Sequence, residues 1–284
     1  MKFDRDARRK IFSLVVSGLC LLCVVVALIP LLSIIYTAID NGWRVLSLHF
    51  LIGAEGSGLP GTGYGGIGPA LYATIVVVGL AGLMSVPVGV LAGIYLSEYG
   101  KNPLGRGISF FTDVMTGSPS IVVGLFSYSV FLYLFRPIVF SAFDGAVVLA
   151  IIMVPVVTRT TEEGLRLVPN ALREGAYALG ISRYRAVLQI VLSTGRSIVI
   201  TGVVLSAMRA AGEVAPLLIC AGWSPLGFTG WNAPAGLLGP LIFADAEQAS
   251  PQLVAAGWGA SLILIALLLS ISLVARILLR KRFQ

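Results

Sequence analysis

The sequence predicts an all-α, polytopic membrane protein, and three observations support this: its hydrophobicity, the length of its apolar segments and the distribution of its positive charges. Of 284 residues, 57% are hydrophobic and 12% are charged, against roughly 25% charged residues in an average soluble domain. The mean hydropathy is +0.95. A soluble fold of this size could not bury so much apolar surface. The composition therefore excludes a soluble enzyme, a disulfide scaffold and a disordered regulator.

Six segments are apolar over a length that crosses a bilayer, whose hydrocarbon core takes ~20 residues of helix. They are residues 11–36, 69–95, 115–135, 144–164, 198–220 and 253–279, and they predict one transmembrane domain over residues 1–284. The fourth segment has charges near both ends, with about fourteen residues between Asp144 and Arg159. Either one of these two charges enters the apolar layer, or the span begins earlier, near Pro137.

The basic residues lie mostly on one side of the predicted bundle, and an even number of spans puts both termini on that side. Seventeen of the twenty Lys and Arg residues are there, whereas the opposite side has only Arg44 and Arg136. Basic residues next to spans are retained in the cytoplasm. We therefore expect both termini, and the long connection of residues 165–196, to be cytoplasmic.

Several catalytic motifs are missing from the sequence, and their absence favours transport over catalysis. No G-x-x-x-x-G-K-[ST] motif occurs, so the chain has no P-loop with which to hydrolyse ATP. Neither H-E-x-x-H nor G-x-S-x-G is present. The single histidine, His49, has no cysteine or second histidine near it in the sequence, so we expect no metal site and no cofactor in this chain.

Arg209 and Glu213 are ionisable residues in the middle of the predicted fifth span. An arginine at the bilayer centre costs on the order of 2.5–3.5 kcal/mol, and such residues usually mark substrate or ion pathways. At i and i+4 the two side chains can pair. The pair could be a structural link between helices or the lining of a pathway. Gly212 and Pro216 weaken the helix at this point and favour the pathway, because Pro216 removes the amide that would bond the Gly212 carbonyl.

Arg159 is a candidate for a second pathway charge. If it faces the interior with Arg209 and Glu213, these three residues give the pathway a net charge of about +1. A guanidinium group offers paired donors to tetrahedral oxyanions, and it binds carboxylates in a similar way. The chemistry of these residues therefore predicts an anion without identifying it.

The cytoplasmic connection of residues 165–196 has the pattern of two short amphipathic helices broken at Gly180. Such an element either docks into a groove of a partner protein or folds back on its own bundle. Its residues Glu174-Gly175-Ala176, Gly180, Ile190 and Leu192 resemble the E-A-A-x3-G-x9-I-x-L-P signature of bacterial ABC importer permeases, with Gly175 in the second position and Ser193 in place of the proline. The resemblance implies that this coupling segment contains a coupling helix that docks on an ATPase subunit.

Four further stretches resemble the PstA-type permeases of phosphate-specific ABC importers, a likeness that extends over about residues 11–279. They are residues 66–71, 117–122, 158–163 and 209–216. The resemblance implies the type I importer permease fold in a bacterial inner membrane, and roles in phosphate passage for Arg159, Arg209 and Glu213. It also implies a complex with a PstC-type permease, a PstB-type ATPase dimer that binds ATP and Mg²⁺, and an extracytoplasmic PstS-type phosphate-binding protein.

Three other functions stay open at this point. The chain could serve another oxyanion or an amino acid through a related ABC system. It could be a stand-alone channel or secondary carrier that uses the buried charge pair as a filter or relay. A purely structural or sensory membrane subunit is the third alternative, and it leaves the coupling segment unexplained.

Overall fold

In a bilayer the backbone must satisfy its own hydrogen bonds, and this chain does so with helices. The computed structural model describes residues 2–55, 65–134 and 140–280. Within these ranges one isolated bridge, between Glu55 and Gly65, is the only β pairing. Five helices there are long and apolar enough to cross a membrane, and a bent helix pair makes a sixth crossing if it counts as one span. The prediction of an all-α membrane fold is confirmed.

Most of the helices are joined by short connections, and longer ones precede the third and the eleventh helix. In chain order they are α1 (Lys2–Gly42), α2 (Leu48–Ile52), α3 (Gly68–Tyr99), α4 (Pro103–Gly117), α5 (Ser120–Leu134), α6 (Ala142–Arg166), α7 (Asn170–Ala178), α8 (Arg183–Arg185), α9 (Leu192–Ala211), α10 (Ala215–Cys220), α11 (Leu238–Ala246) and α12 (Pro251–Arg280). A 3₁₀ turn, Trp43–Val45, follows α1, and a π-helical turn, Ala186–Val191, joins α8 to α9. Residues Arg183–Ala211 therefore form one continuous helix.

Helix α6 is the centre of the bundle, and it is buried along most of its length. It packs tightly on α3 because glycines at four-residue spacing in α3 let the two backbones approach. A Cβ atom on Gly89 would lie 2.7 Å from the Val157 Cβ, and one on Gly93 would lie 2.5 Å from the Thr161 Cβ. Ordinary van der Waals contacts of a Cβ are 3.4–4 Å. Neither position has space for a side chain.

Asp144 lies in the first turn of α6, where Ser141 caps the helix by accepting a hydrogen bond from the Asp144 amide at 3.0 Å. Its side chain is buried, and the Ser127 hydroxyl of α5 donates a 2.6 Å hydrogen bond to it. The helix that follows is 25 residues long. Asp144 therefore points into the protein, where it contacts α5.

The third predicted span, residues 115–135, is wrong as a single helix. The structure has α4 and α5 there instead, with axes 107° apart. Pro119 has no amide to continue the helix, and the residue before a proline disfavours the helical conformation. Ser118 is accordingly extended, with φ −76° and ψ 135°. Phe135, the last residue of the predicted span, lies outside the described residues, as does Arg136.

The fifth predicted span, residues 198–220, also differs from the structure. Helix α9 ends at Ala211, and α10 starts at Ala215. Gly212 caps α9 by donating from its amide to the Arg209 carbonyl oxygen at 3.1 Å. Gly212 and Pro216 were expected to weaken this helix, and the chain does leave the helical conformation between them.

Candidate translocation site

Arg159 lies about two turns before the C-terminal end of α6, where groups from α4 and from its own helix hold it. Its side chain is 25% exposed. The guanidinium forms ion pairs with Asp113 of α4 and, at 2.6 Å, with Glu162. It also donates to the Ser109 hydroxyl at 2.8 Å and to the Ser109 carbonyl oxygen at 3.1 Å. Arg159 therefore ties α4 to α6.

The two carboxylates that contact Arg159 differ in burial. The Glu162 side chain is 4% exposed, and Arg166 pairs with it on its other side at 2.6 Å. A carboxylate this buried is costly unless cations compensate it, and here two guanidinium groups do so. The Asp113 side chain is 64% exposed. Glu162 is thus a fixed partner of Arg159, whereas Asp113 is accessible to solvent or to a ligand.

Arg209 and Glu213 lie together, although not as the sequence predicted. The Arg209 Nε and the Glu213 Oε1 are 3.8 Å apart, and the two side chains are 55% and 15% exposed. The predicted span of residues 198–220 is not one helix: α9 ends two residues after Arg209, at the weak point that Gly212 and Pro216 predict. The Arg209 guanidinium is therefore at a helix end, where the chain turns toward α10.

The structure brings Arg209 close to the region of Arg159. Arg209 lines a small cavity of about 20 Å³ with residues of the α4–α5 bend and of α6, among them Met115, Ser118 and Pro155. Pro155 precedes Arg159 by one helical turn, or about 6 Å along the axis of α6. Arg209 of α9 thus faces α6 about one helical turn before Arg159, next to the break between α4 and α5.

The predicted net charge of about +1 counts Arg159, Arg209 and Glu213 alone, and the structure places further charged residues around them. Asp113 neutralises Arg159, and Glu213 stands against Arg209. The buried Glu162 is balanced by its second arginine, Arg166. Asp113 escaped the sequence analysis because it precedes the predicted third span, in a segment that was not predicted to be a helix.

The coupling segment begins as predicted and then departs from the prediction. In α7, Ala176 is buried, while Glu174 and Gly175 are exposed on the outer surface. Gly180 has φ +75°, a left-handed conformation that glycine adopts without strain. The second piece is not a short helix, because residues 183–211 run on as one helix. Ser193 explains this, since it keeps the amide that the proline of the signature would remove.

Ile190 and Leu192, the last two residues of the signature, lie at the junction of the π-helical turn and α9. Leu192 packs against a buried cluster that contains Leu165, Val168 and Val191. This cluster joins the end of α6 to the start of α9. Among the signature residues, Glu174, Gly175 and Gly180 are thus exposed, whereas Ala176 is buried and Leu192 packs against the cluster.

The family model for binding-protein-dependent transport system inner membrane components matches residues 85–284. The chain belongs to this family. It is therefore a multi-pass inner membrane transport component and not an enzyme in its own right.

Relatives of known name agree with the PstA-type recognition made from the sequence, which is confirmed. The phosphate transport system permease protein PstA 1 of Mycobacterium tuberculosis (strain H37Rv) is 36% identical over 276 residues, covering 94% of this chain and 87% of the relative. PstA of Haemophilus influenzae is 38% identical over 236 residues, or 82% of this chain and 81% of the relative. A probable PstA of Methanocaldococcus jannaschii is 32% identical over 281 residues, or 95% of this chain and 93% of the relative.

Solved structures confirm the predicted fold class. An inward-facing MetNI methionine ABC transporter aligns with a TM-score of 0.61 at 15% identity, over 75% of this chain and 94% of that one. An amino acid ABC transporter crystallised with histidines aligns with a TM-score of 0.55 at 17% identity, over 75% of this chain and 92% of that one. These likenesses establish the ABC importer permease fold.

Proposed function

We propose that this chain is the permease subunit of an ATP-driven importer and that, with a partner permease, it forms the pathway for inorganic phosphate into the cytoplasm. The observation that carries the proposal is the pair of arginines, Arg159 and Arg209, at neighbouring levels of α6 beside the α4–α5 bend. Relatives at 32–38% identity are named as phosphate transport permeases, which supports phosphate as the anion that these guanidinium groups would bind.

The contacts of Arg159 support a displacement mechanism. Its NH1 faces the buried Glu162, and its NH2 faces the exposed Asp113. An incoming phosphate can replace Asp113 on the NH2 side, because that carboxylate regains its hydration when it leaves. Glu162 stays in place and orients the guanidinium. In this way Asp113 occupies the anion position of Arg159 between transport cycles.

The exposure of Arg209 indicates that another protein chain lines the opposite side of the pathway. Its guanidinium is about half exposed in the isolated chain, and an unpaired cation at membrane depth is unfavourable unless it faces water or another protein chain. A partner permease of similar fold, of the PstC type, supplies that side of the pathway. Glu213 compensates Arg209 while no phosphate is bound.

Energy comes from a separate subunit in this proposal. The sequence has no P-loop, so a PstB-type ATPase dimer would bind ATP and Mg²⁺ and would dock on the coupling segment at the exposed Glu174 and Gly175, while the buried Ala176 packs α7 against this chain. A PstS-type protein would deliver phosphate on the opposite side. The charge distribution supports cytoplasmic termini, on the side of the ATPase.

Uptake of labelled phosphate into proteoliposomes tests the proposal. The liposomes contain the complex of this chain with its partner permease and ATPase, with the binding protein outside and ATP inside. We expect uptake that requires ATP and that excess sulfate or molybdate leaves unchanged. Competition by either oxyanion would indicate a permease for another anion, and uptake by this chain without any ATPase would indicate a channel or secondary carrier.

A further inference from the structure

Both parts of the coupling segment are fastened by arginines to the last turn of α3. Arg173, on α7, forms an ion pair with Glu98 at 3.0 Å. Arg183, after the Gly180 turn, donates to the Glu98 carbonyl oxygen at 2.9 Å and lies 4.3 Å from the centre of the Tyr99 ring. The coupling segment therefore contacts the C-terminal end of α3 through two arginines, Arg173 and Arg183.

The ion pair between Arg173 and Glu98 is the more buried of these two attachments. The side chains are 13% and 5% exposed. The Arg173 guanidinium also donates to the Leu165 carbonyl oxygen at 3.0 Å and to the Val168 carbonyl oxygen at 2.6 Å. These carbonyl groups lie in and just beyond the last turn of α6. One planar fork thus joins α7, α3 and the end of α6, an arrangement that only the fixed donors of arginine provide.

A continuous set of close contacts leads from this junction to Arg159. Glu98 is five residues beyond Gly93, where α3 has no room to slide independently of α6. A Cβ atom on Gly93 would lie 2.5 Å from the Thr161 Cβ and 2.7 Å from the Thr158 carbonyl oxygen. Thr158 and Thr161 stand on either side of Arg159 in the sequence of α6. A displacement of α7 therefore reaches Arg159 through two tightly packed helices.

We infer that Glu98 and Arg173, with Arg183 in support, are positioning residues that convert movement of the coupling segment into movement of α3 and α6. The inference rests on the proposed function, since it concerns how an ATPase would drive this pathway. The exposed face of the segment, which includes Leu172, Tyr177 and Leu179, would contact the ATPase. The buried Arg173 on the opposite face of the segment would transmit its movement to α3 and α6.

The alternative is that the ion pair only stabilises the fold, and a coupling ratio separates the two roles. The ratio is the amount of phosphate imported per ATP hydrolysed by the assembled complex in proteoliposomes. The variants are Glu98→Gln, Arg173→Gln and the double variant, with Glu98→Asp and Arg183→Gln as milder changes. Lys101→Gln is the matched control, because Lys101 is exposed and only three residues from Glu98.

We expect Glu98→Gln and Arg173→Gln each to lower the ratio about 10-fold while ATP hydrolysis stays within about 2-fold, since a hydrogen bond to a charged group is worth a factor of this size. The double variant should be no worse than either single variant, because all three break the same contact. Glu98→Asp should restore most of the ratio, Arg183→Gln should lower it by a smaller factor, and Lys101→Gln should leave it unchanged.

Two results would overturn the inference. One is an unchanged ratio in assembled complexes of Glu98→Gln and Arg173→Gln. The other is loss of assembly in those variants together with a normal ratio for Arg183→Gln, which would make the junction structural only. In both cases the wild-type complex still imports phosphate with ATP. A wild-type complex without ATP-dependent uptake would instead refute the proposed function, and the inference with it.

Discussion

The contact of Gly93 with α6 gives a sharp test of the packing that positions Arg159. The substitution Gly93→Ala adds one Cβ atom 2.5 Å from the Thr161 Cβ, where ordinary contacts are 3.4–4 Å. The helices must then move apart by about 1 Å, and such overpacking typically costs about 1–3 kcal/mol. Alanine also gains about 1 kcal/mol over glycine in helix propensity, which partly hides this cost.

Gly79→Ala is the matched control, because it lies on the same helix with nothing within 4 Å of the added Cβ. The propensity gain is the same in both variants, so their difference isolates the overpacking. At roughly 2–4 °C per kcal/mol for a chain of this size, the purified complex with Gly93→Ala should unfold several degrees below the one with Gly79→Ala. Phosphate uptake should fall only in Gly93→Ala. Equal unfolding temperatures and equal uptake would refute the reasoning.

Three further predictions use thermal unfolding of the purified complex. Glu162→Gln should destabilise the complex by about 3 kcal/mol, because Glu162 is buried between two arginines. Asp113→Asn should cost about 1 kcal/mol or less, because Asp113 is exposed. Equal losses of stability in the two variants would contradict the assigned roles. Ser127→Ala should cost about 1–3 kcal/mol, since it removes the donor to the buried Asp144, and the exposed Ser129→Ala serves as control; no difference between these two variants would argue against that contact. Burial and the neighbouring Glu55 raise the pKa of Asp245 to about 7, so ionisation opposes folding as pH rises from about 4 to 7. Asp245→Asn should therefore raise the unfolding temperature clearly more at pH 8 than at pH 4, and a gain of the same size at both pH values would be inconsistent with that pKa.

Long apolar stretches made three of the spans predictable within a few residues. Helices α3, α6 and α12 extend slightly beyond the predicted limits, because helical hydrogen bonding continues past the apolar window to polar ends such as Tyr99 and Arg166. Such ends carry no hydropathy signal. Length and composition therefore locate a span well and its last turn poorly.

The broken helices had local signals that hydropathy does not register. Asn102 caps α4 by accepting from the Gly105 amide at 2.7 Å, with Pro103 in the first turn. Together with Ser118-Pro119, these residues mark both ends of α4. As helix boundaries, these residues predict a separate helix that contains Asp113.

The partners of Arg159 and Arg173 on other helices could not be found from the sequence alone. Asp113 is 46 residues away along the chain, and Glu98 is 75 residues away from Arg173. Such pairs depend on how α4 and α7 pack against α3 and α6. The residue types predicted an anion site, but the neutral balance of that site is a property of the tertiary structure.

Arg209→Ala tests the central claim, that a guanidinium at the α9–α10 break lines the phosphate pathway. Membrane insertion and complex assembly should persist, because the Arg209 side chain is largely exposed and its ion pair with Glu213 is a 3.8 Å contact. ATP-dependent uptake of labelled phosphate should be abolished, while Arg106→Ala, which removes an exposed arginine of α4, should leave it unchanged. Normal uptake by the assembled Arg209→Ala complex would contradict the account.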